Sequence, residues 1–573
     1  MAETLISPGV LARENDQSQI TSQPIQAGAA IVGPTVKGKV GIPTLVTTYS
    51  EYAAAFGTTF ESGSDEYSFF TSISAFNYFQ NGGTSLLVTK VASGSFTPAT
   101  SSEVACHTGS LSDPFILETL AEGTILNSTG SESANGALTN GTVNNIRWEI
   151  TSPNTSSGVF SVIIRQGNDT TKSKSVLETF ANVSLDPKAA NYIARVIGDQ
   201  TQNLLGTGTS DPYLQTTGSF PNASRYVRVK SVNLKTPDYL DNDGTAKDIY
   251  TGSIPIAQSG SFGDAEGSIL TGTGKYYDAI SNTDTQGLVG ANYTDAFNLL
   301  ANKDDYRYNI ISAPGLIYEN GDHSTPLNTL ISNVENRGDV IMILDLKNYG
   351  ATVVGATSTA ASVDSSYAAA YWPWVQITDP DTQRLVWVPA STMIPGVYAN
   401  NDRTSEAWFA PAGINRGGLG SVRQAERKLT QANRDILYTG KVNPIATFPG
   451  RGVVVFGQKT LQTQASALDR VNVRRLLIEL KSYISQVSDN LVFEQNSSAT
   501  RNQFLSQVNP YLESVQQRQG LYAFKVTMDD TNNTADVIDR NQLVGAIYIQ
   551  PTKTAEFIYL DFNILPTGAT FPA

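Results

Sequence analysis

The spacing of apolar residues divides this chain into a mixed helix-and-strand opening, a strand-rich middle and a second mixed region. In "EYSFFTSISAFNYFQNGG", Phe69, Ile73, Phe76 and Phe79 fall at helical spacing until Asn81-Gly82-Gly83 interrupts them, and "TSLLVTKV" follows as a buried strand. A helical turn is expected at Ser50-Glu51-Tyr52, before Gly57. From about Tyr306 the alternation resumes: "YNIISAPG" as a strand, "TPLNTLISNVENRG" as a helix stopped by Gly338, and "DVIMILDL" as a strand. A helix is predicted over "SVRQAERKLTQANRDILYTG", then the strand "GVVVF". Leu468, Val471, Leu476, Leu480, Tyr483, Ile484 and Val487 form the apolar stripe of a longer helix, and another helix runs from about Thr500 to Gln519. "YAFKVTM" and "LVGAIYIQ" read as strands, as does "EFIYLDFNIL" near the end, where Ile558, Leu560, Phe562 and Ile564 alternate with Phe557, Tyr559, Asp561 and Asn563.

These elements imply an α/β (α+β) core built from the N- and C-terminal parts of the chain, with β-rich insertions between them. The expected divisions are an N-terminal arm over 1–30, a first core segment over 31–92, a β-rich outward insertion over 93–224, and a second insertion or core-linking unit over 225–305. The remaining core segment is expected over 306–548 and a C-terminal strand or arm over 549–573. The middle is marked by Ser, Thr, Gly and Asn and by short alternating pieces such as "VFSVIIRQ" and "SRYVRVKSV".

Composition narrows the function. At 573 residues, 40% of them hydrophobic and 16% charged, the chain is long enough for several cores. A formal net charge of −13 argues against general attraction to nucleic acid or anionic lipid. Cys106 is the sole cysteine, which excludes an internal disulfide and a multi-cysteine zinc site. "MAETLISPGVLARENDQSQ" lacks the basic-then-apolar form of a signal peptide, so the protein is expected to be cytoplasmic when made, with no membrane insertion.

Candidate chemistry is sparse. In "GVVVFGQKT", Gln458 separates Gly457 from Lys459, and Val453 to Phe456 favour a strand over an amide-lined phosphate loop. "DYLDNDGTAKD" matches a calcium loop at Asp241, Asp243 and Gly244, but Tyr239 and Tyr250 occupy key ligand positions. Cys106 and His107 are neighbours on a predicted strand and so point to opposite faces, which no catalytic dyad allows. No catalytic residue, cofactor or metal is expected. The basic residues offer two readings: Arg423, Arg427, Lys428 and Arg434, then Arg470, Arg474 and Arg475, either pair with Glu426, Asp435 and Asp469 or form a stripe facing an acidic partner.

"SPGV" at 7–10, "GIPTLVTTYSEYAAAFG" at 41–57, "AFNYFQNGGTSLLVTKV" at 75–91 and "SAPG" at 312–315 together resemble the tail sheath proteins of contractile phage tails and related injection machines. So do "WFAPAGINRGG" at 408–418, "VNPIATFPGRGVVVFGQKTL" at 442–461, "VNVRRLLIEL" at 471–480 and "LVFEQNSSATR" at 491–501. The resemblance covers roughly the first 90 and last 260 residues.

It implies a non-enzymatic virion subunit that polymerises with itself into a helix around an inner tail tube, meets baseplate and tail terminator proteins, and contracts to drive the tube through a cell envelope. It further implies arms that add strands to neighbouring subunits: Leu5, Ile6, Val10 and Leu11 at one end, and Phe557, Ile558, Tyr559, Leu560, Phe562 and Ile564 at the other. Arg423, Arg427, Lys428, Arg470, Arg474 and Arg475 become candidates to face the tube. The alternative, from the polar, aromatic-bearing middle, is a carbohydrate-binding or carbohydrate-cleaving tail fibre or baseplate protein. A third reading, a nucleotide-driven ATPase, would need Lys459 to bind ATP.

Overall fold

The computed structural model describes residues 25–62, 65–268 and 280–556. Its centre is an eight-stranded sheet in the order Gly452–Val455, Asn443–Phe448, Ala368–Trp372, Ile341–Asp345, Ile310–Ile317, Ala29–Gly33, Leu86–Lys90 and Thr44–Val46. The six inner strands run parallel, and only the outermost strand at each edge pairs antiparallel. A parallel sheet must be covered on both faces, and five of its six parallel strands here are buried throughout. Successive residues divide between two cores: Ile31, Ile310, Ile341 and Ile343 on one face, Ala30, Val32, Ile311, Met342 and Leu344 on the other.

The first face is covered by the helices Tyr49–Phe56, Phe70–Gln80 and Ile394–Thr404, through Tyr52, Phe56, Phe70, Ile73, Ile394, Val397 and Tyr398. The second is covered by Gly321–Arg337, Val353–Ala360 and Gln431–Thr439, through Leu327, Leu330, Val334, Val353, Ala356 and Leu437. Local signals set several helix ends. The Thr48 hydroxyl accepts from the Glu51 amide at the start of Tyr49–Phe56, and Gly338 ends Gly321–Arg337 with φ 70°, a left-handed conformation that glycine adopts without penalty.

Ala29–Gly33 pairs with Leu86–Lys90 on one side and with Ile310–Ile317 on the other, so the N- and C-terminal parts of the core close on each other and the chain over about 98–263 is an insertion. Residues 29 and 30, expected in the N-terminal arm, are strand residues buried in this sheet. The insertion forms a seven-stranded antiparallel sheet in the order Val176–Ser184, Val159–Gln166, Ile146–Asn154, Gln258–Gly263, Pro98–Ser101, Phe115–Glu122 and Val227–Val232. Gln258–Gly263 lies in its middle and Val227–Val232 at its edge, so a unit boundary near 225 does not follow the sheet. Pairing between strands distant in sequence decides this, and composition carries no trace of it. Residues 284–299 return to the core, where Leu288, Tyr293 and Phe297 pack on its second face.

The joint between core and insertion is polar. Val40 donates its backbone N–H to the Glu122 carboxylate at 3.1 Å, Lys39 lies 3.8 Å from it, and a cavity of about 340 Å³ opens beside them. Lys90 is buried there, donating to the Gly38 carbonyl at 3.3 Å, and burial pulls its pKa down to about 8.

The helix expected across 421–440 is corrected. Val422–Ala425 is a strand, paired antiparallel with Val375–Thr378, and the helix begins only at Gln431, capped by the Thr430 hydroxyl. Register with Val375–Thr378 overrides the helical propensity of "RQAERK". Among the described residues no helix is long and apolar enough to cross a membrane.

Candidate inter-subunit interface

The chain after residue 470 forms a separate lobe with its own core. In Val471–Asp489 the predicted stripe is present except for Leu468, which lies in the 3-10 turn Ala467–Asp469 before the helix: Leu476, Leu480 and Val487 are buried in the lobe, Tyr483 and Ile484 pack against it, and Val471 turns into the main core. The second helix, Ser498–Gln517, is capped by the Ser497 hydroxyl and contributes Phe504, Val508, Leu512 and Val515 at i, i+4, i+8 and i+11. The Tyr483 and Tyr511 rings stack across the two helices, 3.7 Å between centroids.

A hairpin of Leu521–Thr527 and Ala546–Pro551 lies on these helices. Opposed pairs share a face, so Phe524 with Ile549 and Val526 with Ile547 pack inward, while Ala523, Gln550, Lys525 and Tyr548 point out. Tyr522 and Tyr548 are each more than 60% exposed. The sheet has only these two strands, so neither outer edge pairs with a further described strand. Such an edge is a template for another chain, and a two-strand ribbon gains stability when lengthened.

The chain leaves the hairpin along a defined track. The Thr552 hydroxyl donates to the Gln519 and Gly520 carbonyls at 2.5 and 2.9 Å. Gln458 then donates to the Thr554 hydroxyl at 2.6 Å and to the Glu556 carboxylate at 3.0 Å. Glu556 also accepts from Arg470 Nε at 2.8 Å, from Arg470 Nη2 at 3.0 Å and from the Tyr438 hydroxyl. Burial pushes the Glu556 carboxyl up, but the hydrogen bonds from Tyr438, Arg470 and Gln458 outweigh it and hold the group below its usual value.

The six basic candidates do not form one stripe. Arg423, Arg427 and Lys428 are exposed, with Arg423 on the strand Val422–Ala425 and Arg427 and Lys428 in the loop beyond it. Arg423 and Arg427 therefore lack the helical i, i+4 relation expected of them. Arg427 lies over the Trp372 ring at 5.8 Å. Arg470 is the N-cap residue of Val471–Asp489 and is held by Glu556 and Asp469. Arg474 is buried against the Tyr367 ring at 3.9 Å and donates to the Ser366 hydroxyl, and Arg475 is buried against Asp402. The arm residues Leu5, Ile6, Val10 and Leu11, and Phe557, Ile558, Tyr559, Leu560, Phe562 and Ile564, lie outside the described residues. Glu556, the polar residue at which the described chain ends, carries no local signal in the sequence, because its partners are 86 to 118 residues away.

The remaining motifs have structural roles. Gly452–Val455 of "GVVVFGQKT" is a strand, and Lys459 lies over the Tyr438 ring at 4.3 Å. Asp241 accepts from the backbone amides of Asp243 and Thr245, forming a turn. Cys106 is buried, its thiol pushed up to about 11 by desolvation, while His107 is exposed. Among the described residues no three His, Cys, Asp or Glu side chains are grouped to hold a metal.

The fold is similar to that of the sheath tail protein Lin1278 of Listeria innocua. Its crystal structure has a TM-score of 0.50 at 10% identity, covering 92% of this chain and 96% of that one, a likeness of fold. Residues 286–461 match the phage tail sheath protein central domain, and residues 463–565 the phage tail sheath C-terminal domain. Over these two stretches the chain is similar to phage tail sheath proteins. Over 218 residues, 38% of this chain and 31% of the relative, it is 40% identical to the tail sheath protein of Vibrio phage KVP40. Over 215 residues, 38% of this chain and 32% of the relative, it is 38% identical to that of Enterobacteria phage T4. The matched stretch is thus about a third of the length of these curated relatives.

Proposed function

We propose that this chain is the structural subunit of a contractile tail sheath, a virion component and not an enzyme. Copies assemble head to tail into a helix around an inner tail tube, and a contact of this kind that does not close on itself makes a filament. The observation that carries the reading is the hairpin Leu521–Thr527/Ala546–Pro551, a two-stranded sheet whose outer edges pair with no other described strand. Strands from neighbouring copies, drawn from residues around Leu5 to Leu11 and Phe557 to Ile564, add to those edges through backbone hydrogen bonds.

Links of this kind survive while the cores rotate. The extended sheath is then a kinetically held state that repacks into a shorter, wider and more stable tube, driving the inner tube through the host envelope. The baseplate starts the change, and a terminator protein caps the far end. Exposed Arg423, Arg427 and Lys428 are the basic candidates left to face the tube.

Electron microscopy of the purified chain is the test. Helical tubes or stacked rings are expected from the full chain, and soluble folded monomers after deletion of residues 1–20 or 557–573. A full chain that stays monomeric at high concentration would sink the reading.

A further inference from the structure

We propose that Glu556 is a positioning residue that sets the take-off point of the C-terminal segment, holding it at one offset from the subunit's own hairpin. The consequence for assembly rests on the sheath reading; the anchoring itself does not.

Three parts of the fold meet at this carboxylate. Tyr438 comes from the end of the helix Gln431–Thr439, Gln458 from the chain just after the core edge strand Gly452–Val455, and Arg470 from the N-cap of Val471–Asp489. The Arg470 fork engages both carboxylate oxygens, the geometry that makes arginine–carboxylate pairs strong and directional. Val471 N–H donates to the Gln458 carbonyl at 2.8 Å, so two of the three donor segments are also joined by their backbones. Arg470 and Glu556 side chains are 24% and 19% exposed, which limits competition from water.

The other end of the strap is equally defined, because Thr552 is bonded to Gln519 and Gly520 at the base of the hairpin. From Thr552 to Glu556 the backbone spans at most about 14 Å, four residues at full extension. The strap therefore bridges the helical lobe and the α/β core, and fixes the relation between an edge that accepts a strand and a segment that donates one. A subunit whose donor leaves from a fixed point imposes one spacing on every link of a polymer, whereas a loose donor permits many.

The test uses the full chain, kept below the concentration at which it assembles, with hydrogen exchange read on the peptide containing residues 552–556. Glu556→Gln and Arg470→Gln are each expected to speed exchange there at least tenfold, with the core strands unchanged. The exchanged pair Glu556→Arg with Arg470→Glu should recover part of the protection. At assembly concentration, Glu556→Gln should give tubes of broken helical order. Unchanged exchange in Glu556→Gln overturns the anchor, and faster exchange with tubes of wild-type order overturns its positioning role. Failure of the wild-type chain to form tubes sinks the sheath reading and leaves the exchange result standing.

Discussion

Arg475 donates to both carboxylate oxygens of Asp402, at 2.8 and 2.5 Å, with its guanidinium 4.8 Å from the centre of the Tyr398 ring. This pair joins the helix Val471–Asp489 to Ile394–Thr404, and so ties the lobe bearing the hairpin to the main core. Asp402→Ala leaves a guanidinium that is 4% exposed without its carboxylate. Breaking a buried pair costs about 3–5 kcal/mol, and the partial exposure of Asp402 reduces that to about 2–3 kcal/mol. Calorimetry should show an earlier unfolding transition, with a smaller loss for Asp402→Asn.

Asp345, at the end of a central strand, is buried, and desolvation pushes its pKa up to about 7 against the hydrogen bonds from Ser391. Its folded value lies above the unfolded one, so the native state binds more protons and this group lowers stability as pH rises from about 4 to about 7. Below that window the group costs nothing. Asp345→Asn is therefore expected to unfold at a higher temperature relative to wild type at pH 8 than at pH 5. A difference between the two chains that is constant across this range would contradict the burial of a carboxyl group here.

Within the antiparallel insertion, Arg165 forks onto Asp169 at 2.7 and 2.8 Å and reaches Glu149 at 3.0 Å, while Arg147 lies 3.6 Å from Asp169. All but Glu149 are at most 2% exposed as side chains. Asp169→Ala removes the carboxylate shared by two buried guanidinium groups, leaving Arg165 with Glu149 and Arg147 with Glu132, at a cost of about 2–3 kcal/mol. Because the insertion has its own core, hydrogen exchange should rise across residues 98–263 while Ile310–Ile317 and Ile341–Asp345 keep their protection.

Tyr548 stands on the outward side of the hairpin, away from the lobe's core, and Tyr522 is exposed at the register shift between Leu521 and Ala523. If the hairpin receives strands from neighbouring copies, Tyr548→Asp introduces a charge among the side chains flanking the added strand. The variant should fold with wild-type thermal stability, within about 0.5 kcal/mol, and yield about tenfold less tube by sedimentation.

Much of the secondary structure is legible in apolar spacing. Phe70–Gln80, Gly321–Arg337, Val471–Asp489 and Ser498–Gln517 follow helical stripes ended by Gly, Asn or a turn, and Ile310–Ile317 and Ile341–Asp345 are short apolar runs of the kind parallel sheets bury on both faces. The strand Val422–Ala425 is not legible, because "RQAERK" favours helix locally and only pairing with Val375–Thr378 makes it a strand. The fate of the arginines is illegible for a similar reason. Arg470, Arg474 and Arg475 look like neighbours on one helix, but their partners Glu556, Tyr367 and Asp402 come from three remote stretches of the chain.

By itself the sequence determined the α/β character of the core, its interruption by a strand-rich insertion and its kinship with sheath proteins, because local spacing and local motifs carry those signals. Only the tertiary structure decided which strands share a sheet, that Gln258–Gly263 joins the insertion, that Ala29–Gly33 sits beside Ile310–Ile317, and that Glu556 is held by Arg470. Hydrogen bonds between strands and ion pairs between side chains depend on proximity in space, and residues hundreds of positions apart leave no local mark of it.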